Sequence, residues 1–278
     1  MSPDTDPSAE TPPRVMPTDP ESFSYAILTG KVGMMRTGRR LLRALPSDPR
    51  CKMCAAPFRG PLAPLMRAIG KAPWAKNPKY CEMCFKFMVD HRDGAEVECS
   101  LLFADVRGST SMAETMRPTE FNAAMDRFFA IATKVLIEHD AVVDKFVGDE
   151  VIAIFIPALT GELHAGRAID AGLALLAALG GGGTASPLPV GAGVNSGIAY
   201  VGTVGSGDNV ELTAMGDPVN VAARLASAAD PGELLVTVAA AEAALLADAT
   251  LEHRELSLKG KSQPTQVLVL RAGSDAES

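Results

Sequence analysis

From residue 95 to residue 272, apolar runs and helical periods alternate in one order, and that order limits the fold more than any other feature of the chain. Val97 to Ala104 is an apolar run of strand length. In Thr119 to Ile137 the residues Phe121, Met125, Phe128, Phe129, Ala132, Val135 and Leu136 recur at helical spacing, which predicts an amphipathic helix. Ala141 to Val147 and Val151 to Phe155 read as two strands joined by a tight turn at Gly148-Asp149. Gly161 to Leu179 reads as a second helix, ended by the glycine run 180–183. Val190 to Val204 and Val210 to Ala214 read as a further hairpin, and Val219 to Ala229 as a helix. A short strand near Leu234, an Ala-rich helix and two terminal strands follow. The order is βαββαβ with an extension. It predicts an α+β sheet with helices on one face and the other face left for a partner.

Ahead of this region the chain divides into three. Residues 1–22 are rich in Pro, Asp, Ser and Thr without an apolar period, and read as a disordered tail. Residues 23–45 interleave Ile27, Leu28, Leu41 and Leu42 with Lys31, Arg36, Arg39, Arg40 and Arg43, a basic amphipathic segment. Gly30, Gly33 and Gly38 weaken a free helix there. The segment is therefore expected to pack on a dimer partner or on the cysteine module. Peripheral membrane contact is the less favoured reading. Residues 46–92 form a four-cysteine metal-binding module: Cys51 and Cys54 make one C-x-x-C pair, and Cys81 and Cys84 the other, 26 residues further on. Thiolates at this spacing suit Zn²⁺, with an iron–sulfur cluster as the alternative. The second pair leads into Phe85 to Val89, a helical stretch, and the module resembles a treble-clef zinc fold. The fifth cysteine, Cys99, stands alone in a strand and is expected to pack as a small apolar residue.

With 47% hydrophobic residues the chain can bury a sizeable core. Its net charge of −7 argues against general nucleic-acid binding, since no basic field draws in phosphate backbones. Lys71, Lys76 and Lys79 with Trp74 give slight support to a zinc-dependent nucleic-acid-binding regulator, and the acidic balance opposes it. The amino terminus is acidic and Pro-rich instead of basic and then apolar, and no apolar run approaches the roughly 20 residues that span a bilayer. A soluble cytoplasmic protein is expected, and paired thiols fit a reducing compartment.

Three segments carry chemistry. In Leu102 to Thr110 an apolar strand ends in Asp105, and Gly108-Ser109-Thr110 can open a helix whose N–H groups point at phosphate oxygens. An Asp after a strand is also a common cap. In Asp144 to Glu150 a second carboxylate, Asp149, sits at a hairpin turn, where Gly-Asp is equally good turn chemistry. Two carboxylates at strand ends, each near a Gly, together suit Mg²⁺ or Mn²⁺. In Glu211 to Arg224, Asn220 and Arg224 are four apart on a helix and share a face, as a structural Asn and a surface Arg also would.

Taken together, these segments resemble the catalytic domain of class III nucleotide cyclases over residues 95–272. The resemblance implies a ferredoxin-like domain whose site forms between two subunits of a homodimer. It implies that Asp105, Asp149 and the backbone carbonyl of Val106 hold two Mg²⁺ or Mn²⁺ ions. It implies that Lys145 and Thr213 read the purine, Asn220 orients the ribose, Arg224 meets charge on the reacting phosphate, and Lys259 holds the triphosphate. Gly108, Ser109 and Thr110 fall beside the phosphates. A Lys can donate to adenine N1 and a Thr hydroxyl can accept from the 6-amino group, so the pair favours ATP over GTP. The expected reaction is in-line attack of the ribose 3′-hydroxyl on the α-phosphorus, giving cyclic AMP and pyrophosphate. The Thr form also resembles a bacterial subgroup in which bicarbonate response occurs. A catalytically silent nucleotide-sensing domain is the alternative within the same fold.

Overall fold

The computed structural model describes residues 23–31, 34–45, 49–75, 77–90, 93–180, 188–206, 209–246, 251–261 and 263–272. The expected disordered tail and most of the glycine run lie outside these residues. The amino-terminal part holds helices α1 (Phe23–Leu28), α2 (Met34–Arg43) and α3 (Ala63–Ala68), strands β1 (Pro73–Trp74) and β2 (Asn77–Cys81), and helix α4 (Glu82–Asp90). Next come β3 (Ala95–Val106), α5 (Ser109–Thr115), α6 (Pro118–Glu138), β4 (Val142–Val147), β5 (Glu150–Phe155), α7 (Pro157–Thr160), α8 (His164–Leu179) and β6 (Val190–Ser206). The chain closes with β7 (Asn209–Met215), α9 (Asp217–Ala228), β8 (Glu233–Thr237), α10 (Val238–Ala243), β9 (Glu252–Leu256) and β10 (Thr265–Arg271). Strands β3 to β10 make one eight-stranded sheet, ordered β4-β5-β3-β6-β8-β10-β9, with β7 paired to β6. The βαββαβ core is present in this order, and only the β6–β8 pairing is parallel.

β3 is central because it is apolar towards both sides. Leu102, Ala104 and Val106 face one layer, where α6 contributes Met125, Phe128, Ala132 and Leu136 and α8 contributes Ala168, Leu175 and Leu179. Gly172 lets α8 lie close: a Cβ there would stand 2.8 Å from Leu234 Cδ1.

Val97, Cys99, Leu101 and Phe103 face the other layer, which is not left free for a partner as the helical pattern suggested. Ala222 and Ala226 of α9 cover one part of it. Leu28, Cys51, Met53, Phe58, Tyr80 and Phe85 cover another. The basic segment forms two helices, and two of its arginines, Arg39 and Arg43, turn inwards while Lys31 and Arg40 stay exposed. Arg39 is buried, donating from Nη1 to the Lys52 carbonyl at 3.0 Å and from Nη2 to the Ala141 carbonyl at 2.6 Å, with Asp140 as counterion. Arg43 Nη1 reaches the same carboxylate at 2.9 Å. α2 therefore ties the cysteine module to the start of β4, which agrees with packing on that module. None of the described helices is long and apolar enough to cross a membrane.

Candidate active site

Asp105 lies next to last in β3, paired with Glu150 of β5, and Asp149 occupies the β4–β5 turn. Gly148 takes a left-handed φ of +62° in that turn. The Val106 N–H donates to the Asp149 carbonyl at 3.3 Å, so the strand end and the turn are joined through the backbone. The Arg107 guanidinium pairs with the Asp105 carboxylate and donates to the Ser227 carbonyl at 2.7 Å. Glu150 adds a third carboxyl that sequence reasoning missed. Burial, and then Asp149, push it up to about 7 against the pull of Arg107. Its only sequence signal is its place directly after Asp149. Among the described residues the four cysteines are the one group of three or more whose ligand atoms converge closely enough to hold a metal, whereas carboxylate oxygens at a sheet end are of the hard type that Mg²⁺ or Mn²⁺ takes. Gly108 (φ +71°) precedes α5, and Ser109 and Thr110 form its first turn.

α9 buries Val221, Ala222, Leu225 and Ala226, which leaves Asn220 exposed and Arg224 half-buried on the remaining surface. Its first turn is anchored by Asn195, whose Nδ2 donates to the Pro218 carbonyl at 3.0 Å. Lys261 pairs with Asp217 and draws the 258–261 segment to the same helix. A Cβ on Gly260 would stand 3.4 Å from an Arg224 nitrogen, so Lys259 and Arg224 belong to one neighbourhood. Among the described residues, no hydrogen bond or ion pair joins Asp105 or Asp149 to Asn220, Arg224 or Lys259.

Lys145 and Thr213 come together through a residue the sequence did not single out. Thr213 Oγ1 donates to Asp144 Oδ2 at 2.6 Å, and Lys145 Nζ lies 3.6 Å from the same oxygen. Thr213 is 3% exposed, whereas the Lys145 side chain is 38% exposed.

The four sulfurs of Cys51, Cys54, Cys81 and Cys84 all lie within 4.8 Å of one another. Cys51 and Cys54 flank a turn, Cys81 ends β2, and Cys84 sits in the first turn of α4, the knuckle–hairpin–helix order expected. A tetrahedral site with Zn–S bonds of about 2.3 Å separates its sulfurs by about 3.8 Å. Cys54 and Cys81 Sγ are 3.7 Å apart. Burial pushes the Cys51 thiol well up, and hydrogen bonds from the other cysteines push Cys84 up, while hydrogen bonds from Cys51 hold Cys54 and Cys81 down. Lys71 Nζ donates to Cys54 Sγ at 3.7 Å. Trp74 stacks on Phe85, the residue after Cys84, with ring centroids 5.3 Å apart. Cys99 is fully buried, and burial pushes its thiol up to about 12, in keeping with an inert packing role.

The family model of the adenylate and guanylate cyclase catalytic domain matches residues 93–271. The chain belongs to that family. A solved guanylyl cyclase, Cya2, is 27% identical with a TM-score of 0.59, covering 66% of this chain and 98% of its own. The adenylyl cyclase CyaB from P. aeruginosa is 26% identical with a TM-score of 0.57, covering 66% of this chain and 98% of its own. The adenylate cyclase of Anabaena cylindrica is 30% identical over 131 residues, 45% of this chain and 26% of that protein. The chain spans about a third or less of the length of the curated relatives it matches. The cyclase match begins after Cys84, so the four-cysteine module lies outside it.

Proposed function

We propose that this cyclase-family chain is an adenylate cyclase, converting ATP to cyclic AMP and pyrophosphate at a site shared by two copies. The observation that carries the reading is the pair of half-sites on one chain. The backbone joins the Asp105 end of β3 to the Asp149 turn, and Arg224 gathers with the Lys259 segment on α9, with no hydrogen bond or ion pair directly between Asp105 or Asp149 and Arg224 or Lys259 among the described residues. Each half lacks what the other holds, so a second copy completes it.

Divalent cations held by Asp105, Asp149 and the Val106 carbonyl would neutralise the triphosphate and acidify the ribose 3′-hydroxyl. The remaining roles belong to the chain. Lys259 and the Gly108-Ser109-Thr110 turn hold phosphate oxygens. Asn220 orients the ribose for in-line attack, and Arg224 meets the charge that builds on the α-phosphate. Lys145 donates to adenine N1, and Thr213 accepts from the 6-amino group. The cysteine module takes Zn²⁺, which suits the sulfur spacing, and staples a region too small to hold a core of its own.

The test is product identification with purified protein, ATP or GTP, and Mg²⁺ or Mn²⁺. Cyclic AMP formed in preference to cyclic GMP is expected. Cyclic GMP as the main product would overturn the purine assignment, and no cyclic product would leave a nucleotide-sensing domain.

A further inference from the structure

Consecutive residues of a strand point to opposite faces, so Asp144 and Lys145 should diverge. They do not, because the β4–β5 register shifts between them. Val143 pairs with Ala153 and Lys145 with Ile152, which leaves Asp144 as the unpaired residue of a bulge. Bulges of this kind re-aim a side chain and recur beside active sites. Here the bulge brings the Asp144 carboxylate within 2.6 Å of Thr213 Oγ1 and 3.6 Å of Lys145 Nζ. The carboxylate is buried, and its Oδ1 has no hydrogen-bond partner among the described residues. Lys52, from the cysteine module, is buried beside the same strand with its ammonium 5.1 Å from the centre of the Phe146 ring.

A hydroxyl has one proton and two lone pairs. A carboxylate that takes the proton leaves only lone pairs for any ligand. We propose that Asp144 is a positioning residue for purine selection: it fixes the Thr213 hydroxyl as an acceptor and steadies the Lys145 ammonium as the donor beside it. This rests on the adenylate cyclase reading above and goes beyond it by naming what sets the polarity of the purine-reading pair. Adenine presents an acceptor at N1 and a donor at its 6-amino group, which this field matches. A 6-oxopurine in the same pose presents an N–H to the ammonium and a carbonyl to the hydroxyl oxygen, so both contacts fail. Burial, with the charge of Glu211, leaves the Asp144 carboxyl above its usual range, while the Thr213 hydrogen bond and the charges of Lys145 and Lys52 pull the other way.

The experiment measures kcat/KM of the full metal-loaded chain for ATP and for ITP, which carries the 6-oxo edge without guanine's 2-amino group. Asp144→Leu keeps the side-chain length but removes the acceptor, so the Thr213 proton is freed to donate to a ligand. The ITP:ATP ratio is expected to rise about tenfold or more, the worth of one hydrogen bond turned from opposing to matching. Asp144→Ala, smaller and also without an acceptor, serves if the Leu variant does not fold, and the same rise is expected. A merely structural role would lower both substrates together and leave the ratio unchanged, which would overturn the proposal. Wild-type protein that forms no cyclic product from ATP would instead sink the reading on which the proposal stands.

Discussion

The cysteine cluster and the proposed acidic site of the cyclase domain are built in opposite ways. Three of the four cysteines are buried, and their sulfurs already lie at ligand spacing, with the Lys71 ammonium against Cys54. Asp105 and Asp149 sit at the rim of the sheet, partly exposed, with Arg107 paired to Asp105. One cluster is closed by the chain itself. The other stops short and turns its open side to whatever comes next. A closed set of thiolates contributes to folding, whereas an open set of carboxylates keeps coordination positions for a substrate. The difference separates a staple from a working site, and each half of it can be broken on its own.

The largest effect is expected at the staple. Cys51→Ser removes one of four ligands from a fully buried position. Structural zinc contributes apparent binding energies of about 10–16 kcal/mol in small domains, and losing even about a third of that would lower the melting temperature by roughly 10 °C. Elemental analysis should show the metal gone, and calorimetry should show the fall. Full thermal stability without metal would show that the cluster does not staple the fold. The complementary change is Asp149→Ala, at a half-exposed turn. Turnover should drop about 10³-fold or more through lost charge stabilisation, with the melting temperature almost unmoved. A mixture of Asp149→Ala and Asn220→Ala chains should regain activity, since one of the two sites of the mixed dimer keeps every group. If no mixture recovers, the two half-sites do not complement across subunits.

The two clusters also differ in how far they could be read before the fold was known. The C-x-x-C pairs are local, and their spacing alone predicted convergence. The βαββαβ order was legible because β3 is apolar on both sides and α6 keeps a clean helical stripe. Other features were not local. The bulge at Asp144 depends on how β5 pairs with β4, and a period-two reading puts Asp144 and Lys145 on opposite faces. The inward turn of Arg39 depends on carbonyls of Lys52 and Ala141, which only tertiary packing delivers. Charge on a helix face reads as solvent-facing until its acceptors are seen, and for that reason the basic segment left a membrane reading open. The covered second face was missed in the same way. α9 was expected, but nothing in the periodicity placed the cysteine module over the sheet.

A smaller effect tests the open site from its α9 side. Arg224→Ala should lower kcat by about 10²-fold, the usual loss on removing one preorganised charge-stabilising donor, while KM for ATP changes little. Its guanidinium lies beside Gly260, so Gly260→Ala should crowd the same group. Gly260 has a φ of +79°, and the strain of an alanine there adds to that crowding. An Arg224→Ala enzyme with wild-type kcat would make this arginine a surface residue.

The smallest expected effect distinguishes the cations that neighbour each cluster. Lys71 Nζ donates to Cys54 Sγ, a supporting contact around a set of ligands that is already complete. The thiolates also raise the Lys71 ammonium above its usual range against the opposing effect of burial, so the attraction is mutual. Lys71→Met keeps the aliphatic packing and deletes the charge. Outer contacts of this kind are worth about 10-fold to 100-fold in metal affinity, and a single 3.7 Å contact to sulfur belongs at the lower end. A chelator competition should therefore show zinc held about tenfold less tightly, with cyclase turnover unchanged while the site stays loaded. If turnover falls although the metal stays bound, Lys71 acts on the cyclase domain, and the separation between the closed cluster and the open one is not clean.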